Sequence, residues 1–331
     1  MTSIPSESNR SFRERALRAL HDEAPSDDVR SCFAQDERYC LFASSFVEDK
    51  GVEFLIEFPL ASGSGTPSSL DARFELRAEG NPVFEGIWRA EAFVDGQDLA
   101  PEGPWETVCV DPSDAYAFCE RSIAVSGGRR FSRRVCLAYN ESLLLVADEL
   151  LPSPRERRTP RERSTRAFLP FAREATARTD REARETLLVS TESGATLGRV
   201  FPIGLPEWRG DASRGELAEH GSPAGLELTT RSTGATLFAP LIFDFNVRRA
   251  ARPCSWRPLT VGENMSRANE DDAVGRKLQL GTEQFVLYAS TSEEPAIRSI
   301  LSRNLLSDFM FGKFLASRGV VPILDVEVDE E

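Results

Sequence analysis

Lysine and histidine are nearly missing from this 331-residue chain. Three Lys stand against 37 Arg, and the histidines are His21 and His220 alone. The arginine bias is what GC-rich coding produces, and no function attaches to it. Two histidines so far apart, with no carboxylate or thiol at ligand spacing, give no zinc site. The six cysteines (Cys32, Cys40, Cys109, Cys119, Cys136 and Cys254) form no C-x-x-C pair. Most lie inside strand-like apolar text, which reads as buried, reduced thiols rather than disulfides. No G-x-S-x-G occurs, so there is no nucleophile elbow. Ser126-Gly127-Gly128 lacks the following G-K-[ST] and reads as a hairpin turn, not a phosphate loop. No cofactor is expected. No run approaches the ~20 apolar residues of a membrane span, and the N-terminus lacks the apolar stretch of a secretory signal. A cytoplasmic protein is expected.

What the chain has is apolar residues and acid. Forty per cent of residues are hydrophobic, with 21 Phe among them. Burying each such ring contributes roughly 1.5–3 kcal/mol, so a large core is available. There are 53 acidic residues against 40 basic ones, a net charge of −13. That field repels phosphate backbones, which argues against nucleic acid and against loose binding to highly sulfated glycans, although a local basic groove can override it.

One helix is signalled at the start. Ser11-Phe12-Arg13-Glu14 is a capping box, and Phe12, Ala16, Ala19 and Leu20 then share a face. From Cys32 onward the period becomes two. Val52, Phe54, Ile56 and Phe58 alternate with Glu53 and Glu57. Phe74 and Leu76 alternate with Arg73, Glu75 and Arg77. Such strands place one face on a core and one in water. The run RSIAVSGGRRFSRRVCLAYNESLLLVADELL, residues 121–151, reads as three consecutive strands and climbs to the acidic pair Asp148-Glu149. Many further short strands separated by turn text, without a fixed repeat, predict an all-β protein: a large antiparallel β-sandwich with a short N-terminal helix. The boundaries expected are 1–30 for helix and linker and 31–331 for the β-domain. Phe54, Ile56, Phe74, Leu76, Val135, Leu137, Leu144 and Val146 are expected in one core between sheets. The Arg-rich stretch 155–166 reads as a solvated strand face or loop.

Several segments carry a family resemblance. ERYCLFASSF (37–46), SRRVCLAYNESLLLVADELL (132–151), GRVFPIGLPEWR (198–209), LFAPLIFDF (237–245), WRPLTV (256–261), LQLGTEQFVLYAS (278–290) and NLLSDFMFGKF (304–314) resemble, in order, the β-rich C-terminal half of heparinase II/III-like proteins. The likeness spans about residues 31 to 328 and implies a β-supersandwich. It also implies what is missing. Family lyases set an α/α toroid before this domain and carry a histidine-rich segment followed by Asp near its opening strand. Here that region has no histidine, and Asp71 is the one candidate remnant, equally explained as a turn residue.

β-Elimination on a uronate needs a proton-abstracting base, commonly Tyr or His, and a group that neutralises the carboxylate. Tyr39, Tyr139 and Tyr288 sit in apolar strand text and read as packing residues; Tyr116 completes the set. His220, in AEHGSPAG, reads as a surface loop residue. The best binding feature is aromatic. Trp208, flanked by Glu207 and Arg209 in turn-rich text, has the form of a platform that stacks on a sugar face while charged neighbours read its hydroxyls; the plainer reading folds the indole back as a plug. Glu207, Trp208 and Arg209 are therefore the carbohydrate-contact candidates, with no catalytic or metal-binding residue. The expected function is a stand-alone, glycan-associated binding or scaffold protein for an acidic or neutral glycan. The alternative is a polysaccharide lyase using a Tyr/Arg site. Resemblance to a domain that packs against a toroid adds the expectation of a homodimer or a complex with another chain.

Overall fold

The computed structural model describes residues 12, 14, 16, 32–35, 38–44, 51–59, 69–156, 159–292 and 296–327, with side chains at 12, 14 and 16 and, within these ranges, from 38 to 326. Among them lie 26 strands in sheets of nine, eight, five and four strands. Neighbouring strands run antiparallel. The protein is all-β, and the four sheets stack as layers.

Three cores lie between the layers. The first joins the nine- and eight-stranded sheets through Phe54, Phe74, Trp88, Leu144 and Phe243. All eight expected core residues belong to it. The second joins the eight- and five-stranded sheets, with Phe118, Leu145, Trp256 and Phe311. The third lies between the five- and four-stranded sheets, around Tyr288 and Met310. Phe12 and Ala16, both helical, cover the outer face of the first sheet at Tyr39, Leu41 and Leu55. Ala19 and Leu20 lie outside the described residues.

The eight-stranded sheet is covered on both sides, which explains its continuous apolar text. Every residue of Leu143–Leu151 is buried. Leu144, Val146 and Leu150 enter the first core, and Leu143, Leu145 and Ala147 enter the second. Asp148 and Glu149 therefore face opposite cores, and each meets an arginine from the adjacent strand. Arg133 grips Asp148 with two hydrogen bonds, Nε to Oδ1 at 2.7 Å and Nη2 to Oδ2 at 2.9 Å. Its guanidinium lies 3.8 Å from the Trp88 ring centroid. On the other face Arg134 donates to Glu120 at 2.9 Å and stands 3.0 Å from Glu149. The Glu149 contact is close but poorly aligned, and neither carboxylate oxygen accepts a hydrogen bond among the described residues. Burial, opposed in part by Arg134, pushes the Glu149 carboxyl up to about 7. This acidic pair is structural.

Three sequence readings change. The outer face of the first strands is not simply in water, because Leu55 and Glu57 are buried where the helix lies and Glu57 pairs with Arg38. The Arg-rich stretch is only partly solvated. Arg163 is fully buried and donates to the Gly234 carbonyl, while Arg161 pairs with Asp95 at 2.5 Å on the surface. His220 lies in the strand Gly215–Gly221 because its hairpin closes in the two residues Ser222 and Pro223. Asp71 accepts the Ala90 amide at 3.0 Å and holds a strand end. Cys40, Cys119 and Cys136 are buried, and these three, Cys109 and Cys254 are free thiols.

Candidate functional site

The site begins with a buried arginine. After the strand Thr196–Phe201, prolines at 202 and 206 end the ladder and the chain crosses to the first sheet at Gly215. This crossing is folded around Arg184. The Arg184 guanidinium, with no exposed surface, donates to the carbonyls of Pro206 (2.9 Å), Trp208, Asp211 (2.6 Å) and Gly215 (3.2 Å). The Arg184 amide also donates to the Glu207 carbonyl at 2.9 Å, and Ala183 bridges Trp208. A single fork of donors thus sets the path of a segment with no ladder of its own. The crossing closes at Gly215, where φ is +122° and a Cβ would collide with the Thr229 carbonyl oxygen, so only glycine fits.

The same loop is tied to the five-stranded sheet. Glu207 Oε2 accepts the Trp256 amide at 3.0 Å, and the Trp256 indole donates to the Leu205 carbonyl at 2.9 Å. Glu207 is thereby oriented, and Trp208 stands beside it with 59% of its surface exposed. The plug reading of Trp208 does not apply. Arg209 turns the other way: it donates to the Asp180 and Leu217 carbonyls and pairs with Glu216. Of the three sequence candidates, Glu207 and Trp208 line a common cleft and Arg209 braces the loop behind it.

That cleft has a volume of about 620 Å³ and opens between the 203–208 segment and the strands Cys254–Leu259 and Ala273–Leu280. Four cations line it, Arg214, Arg257, Arg276 and Lys277, against Glu207 and Glu270. In a chain of net charge −13 this is a local positive basin. Arg276 is 6% exposed, and burial pulls its guanidinium down to about 10. Its hydrogen bonding among the described residues is one bond to the neighbouring Gly275 carbonyl at 3.1 Å, and its ion pair with Glu270 is long, at 3.9 Å. Glu270 pairs more tightly with Arg214, at 2.7 Å. Burial raises the Glu270 carboxyl, but the Arg214 hydrogen bond and the Arg276 charge outweigh it and hold the group below its ordinary value. Lys277 is lowered by burial and by the Arg257 charge. Arg214 and Glu270 also line a second, more polar basin of about 650 Å³ with Arg231 and Arg267.

The tyrosines and the described histidine sit elsewhere. Tyr39, Tyr139 and Tyr288 are buried in cores, and Tyr116 donates to Asp111 at 2.6 Å, with burial and that carboxylate raising its hydroxyl. His220 is exposed, contacts the Pro223 carbonyl oxygen at 3.2 Å and meets the Phe168 ring edge-on. His21 lies outside the described residues. Among the described residues no group of three or more His, Cys, Asp or Glu is placed to hold a metal ion. No helix among them is long and apolar enough to cross a membrane. Sequence reasoning missed Arg184, Arg214, Glu270 and Arg276. Arg184 belongs to a mixed-charge run with no apolar period, and nothing local distinguishes it from a solvated arginine.

Comparison of the architecture with solved structures decides the fold. The heparan sulfate lyase HepC from Pedobacter heparinus superposes with a TM-score of 0.54 at 10% identity, over 85% of this chain and 47% of that one. A heparinase III structure superposes with a TM-score of 0.52 at 9% identity, over 81% of this chain and 43% of that one. The fold is that of a heparinase III-like β-domain. The chain spans less than half the length of these structures. No family model matches the sequence, and no curated protein matches it. At such identity the likeness is one of fold, and the function of this chain must be read from its own cleft.

Proposed function

We propose that the cleft beside Trp208 binds a glycan, and that the chain is a polysaccharide-associated binding or scaffold module without self-sufficient catalysis. The observation that carries this reading is the exposed Trp208 indole, held by Arg184 on the rim of a cleft lined by charged groups. A sugar ring presents an apolar C–H face to an indole and hydroxyls to its surroundings, and this rim offers partners for both. The fold shared with structures named as a heparan sulfate lyase and heparinase III supports a polysaccharide ligand. The position of the tyrosines and His220 away from the cleft supports binding over proton abstraction by tyrosine or histidine.

Calorimetric titration with a panel of neutral and uronic-acid oligosaccharides tests the reading. At least one is expected to bind, and Trp208→Ala is expected to weaken it about tenfold or more, the equivalent of one good stacking contact. Undiminished affinity in Trp208→Ala, or no binding across the panel, overturns it. Ultraviolet absorbance of unsaturated uronates, followed in the same samples, tests β-elimination. Turnover that disappears on replacing one tyrosine by Phe would replace the binding reading with the lyase reading.

A further inference from the structure

The cleft holds an arginine that the fold leaves underused. Arg276 lies on the strand Ala273–Leu280 among the buried residues Val274 and Leu278, a costly place for a charge unless an anion meets it. Its one carboxylate contact among the described residues is the 3.9 Å approach of Glu270 Oε1. The other oxygen of the same carboxylate, Oε2, is held at 2.7 Å by Arg214. A planar two-oxygen anion therefore already bridges the two guanidinium groups, well fitted to one and loosely to the other. Arg214 is exposed and Glu270 is half-buried on a turn, so both are free to shift in a way that Arg276 is not.

The placement of this bridge gives it a role. Arg214, Glu270 and Arg276 line the Trp208 cleft, and they also line a small pocket of about 40 Å³ with Thr230 and Thr236. Arg214 and Glu270 are shared with the polar basin of about 650 Å³, which Arg231 and Arg267 also line. A linear sugar chain stacked on Trp208 and running toward that basin passes over the bridge. We propose that Arg276 and Arg214 form the seat for one carboxylate of the bound glycan, and that Glu270 fills the seat when the cleft is empty. The inference rests on the glycan-binding reading and adds to it a ligand class: a uronate-containing chain is selected over a neutral one. The carboxylate is favoured over a sulfate because the resident occupant is itself a carboxylate with one oxygen toward each arginine, the geometry that a guanidinium fork matches.

The test compares a uronic-acid oligosaccharide with its carboxyl-reduced, neutral counterpart, each titrated calorimetrically into the full chain. The acidic form is expected to bind about tenfold tighter, the worth of one charge-assisted contact. Arg276→Met and Arg214→Ala are each expected to abolish that preference, the acidic chain losing about tenfold more affinity than the neutral chain. Arg276→Lys is expected to keep part of it, and thermal unfolding of each variant separates lost binding from lost fold. Glu270→Gln removes the internal competitor and is expected to widen the preference for the acidic chain several-fold. Equal affinity for the two chains, or a preference that survives both arginine substitutions, overturns the seat while leaving glycan binding intact. A preference that follows sulfate on a carboxyl-reduced chain overturns the carboxylate assignment.

The seat is also tested without any glycan. Sodium glucuronate is titrated while the Arg276 side-chain resonance is followed by NMR, with glucose as the neutral control. A saturable shift seen with glucuronate, absent with glucose and lost in Arg214→Ala, supports the seat even where no oligosaccharide binds. No shift in the wild-type chain overturns it.

Discussion

Replacing Arg184 by Met is the sharpest test of how the site is held. Methionine keeps much of the buried apolar volume and removes every donor. Four carbonyls lose a charged partner, those of Pro206, Trp208, Asp211 and Gly215. They do not all carry the same cost. Trp208 and Asp211 are exposed, so water replaces the lost donor there. Gly215 is buried, and a buried carbonyl left without a donor costs about 1–3 kcal/mol. The global loss is therefore expected near that range, a fall in Tm of roughly 2–6 °C at the ~2 °C per kcal/mol appropriate to a large domain. The local effect is larger. Releasing only Glu207 and Trp208 means that binding must order them again, at about 1–2 kcal/mol per residue. A glycan affinity lower by roughly thirtyfold or more follows. Hydrogen exchange of the 207–215 amides gives a readout independent of any ligand, and protection there is expected to collapse while that of Leu143–Leu151 persists. Unchanged protection in the loop, or equal loss in both places, would refute the view of Arg184 as the staple of this loop.

Three further outcomes are expected. Asp148→Leu strands the Arg133 charge in the first core and is expected to cost about 3–5 kcal/mol in urea unfolding, whereas Arg133→Met with Asp148→Leu recovers most of it; a double variant as unstable as the single one contradicts the pairing. Glu149 has a folded-state value of about 7, above its ordinary 4.5, so the folded chain holds that proton more tightly than the unfolded chain does. Its contribution is then fully present below the ordinary value and is lost as pH rises from there to about 7, by roughly 3 kcal/mol, and Glu149→Gln is expected to flatten that part of the stability–pH curve. A variant curve parallel to wild type excludes Glu149 as its source. Arg209→Ala, behind the loop, is expected to weaken glycan binding less than Trp208→Ala in side-by-side titrations, and a larger effect would move Arg209 into the contact surface.

Much of this protein is determined locally and is legible in the sequence. Period-two alternation places Phe54, Ile56, Phe74 and Leu76 on one face because successive strand side chains point to opposite sides. The unbroken run at 143–147 marks a strand covered on both faces. Turn chemistry at Gly127-Gly128 sets a hairpin. Proline- and glycine-bounded text singles out Trp208, but only the structure shows its indole exposed rather than folded back. Other features depend on residues distant in the chain. Whether Asp148 and Glu149 are catalytic or structural is decided by Arg133 and Arg134, which the register of the adjacent strand brings opposite them. The three-core stacking follows from which sheet lies on which, and alternation alone does not encode that order. Arg184, Arg214, Glu270 and Arg276 come from separate segments, and each looks like an ordinary surface charge in its own window. Only the tertiary structure buries two of these arginines, and burial removes the water that would otherwise satisfy them. An arginine so desolvated must take its partners from whatever surrounds it: loop carbonyls and Glu216 for Arg184, and the Gly275 carbonyl and one distant carboxylate for Arg276.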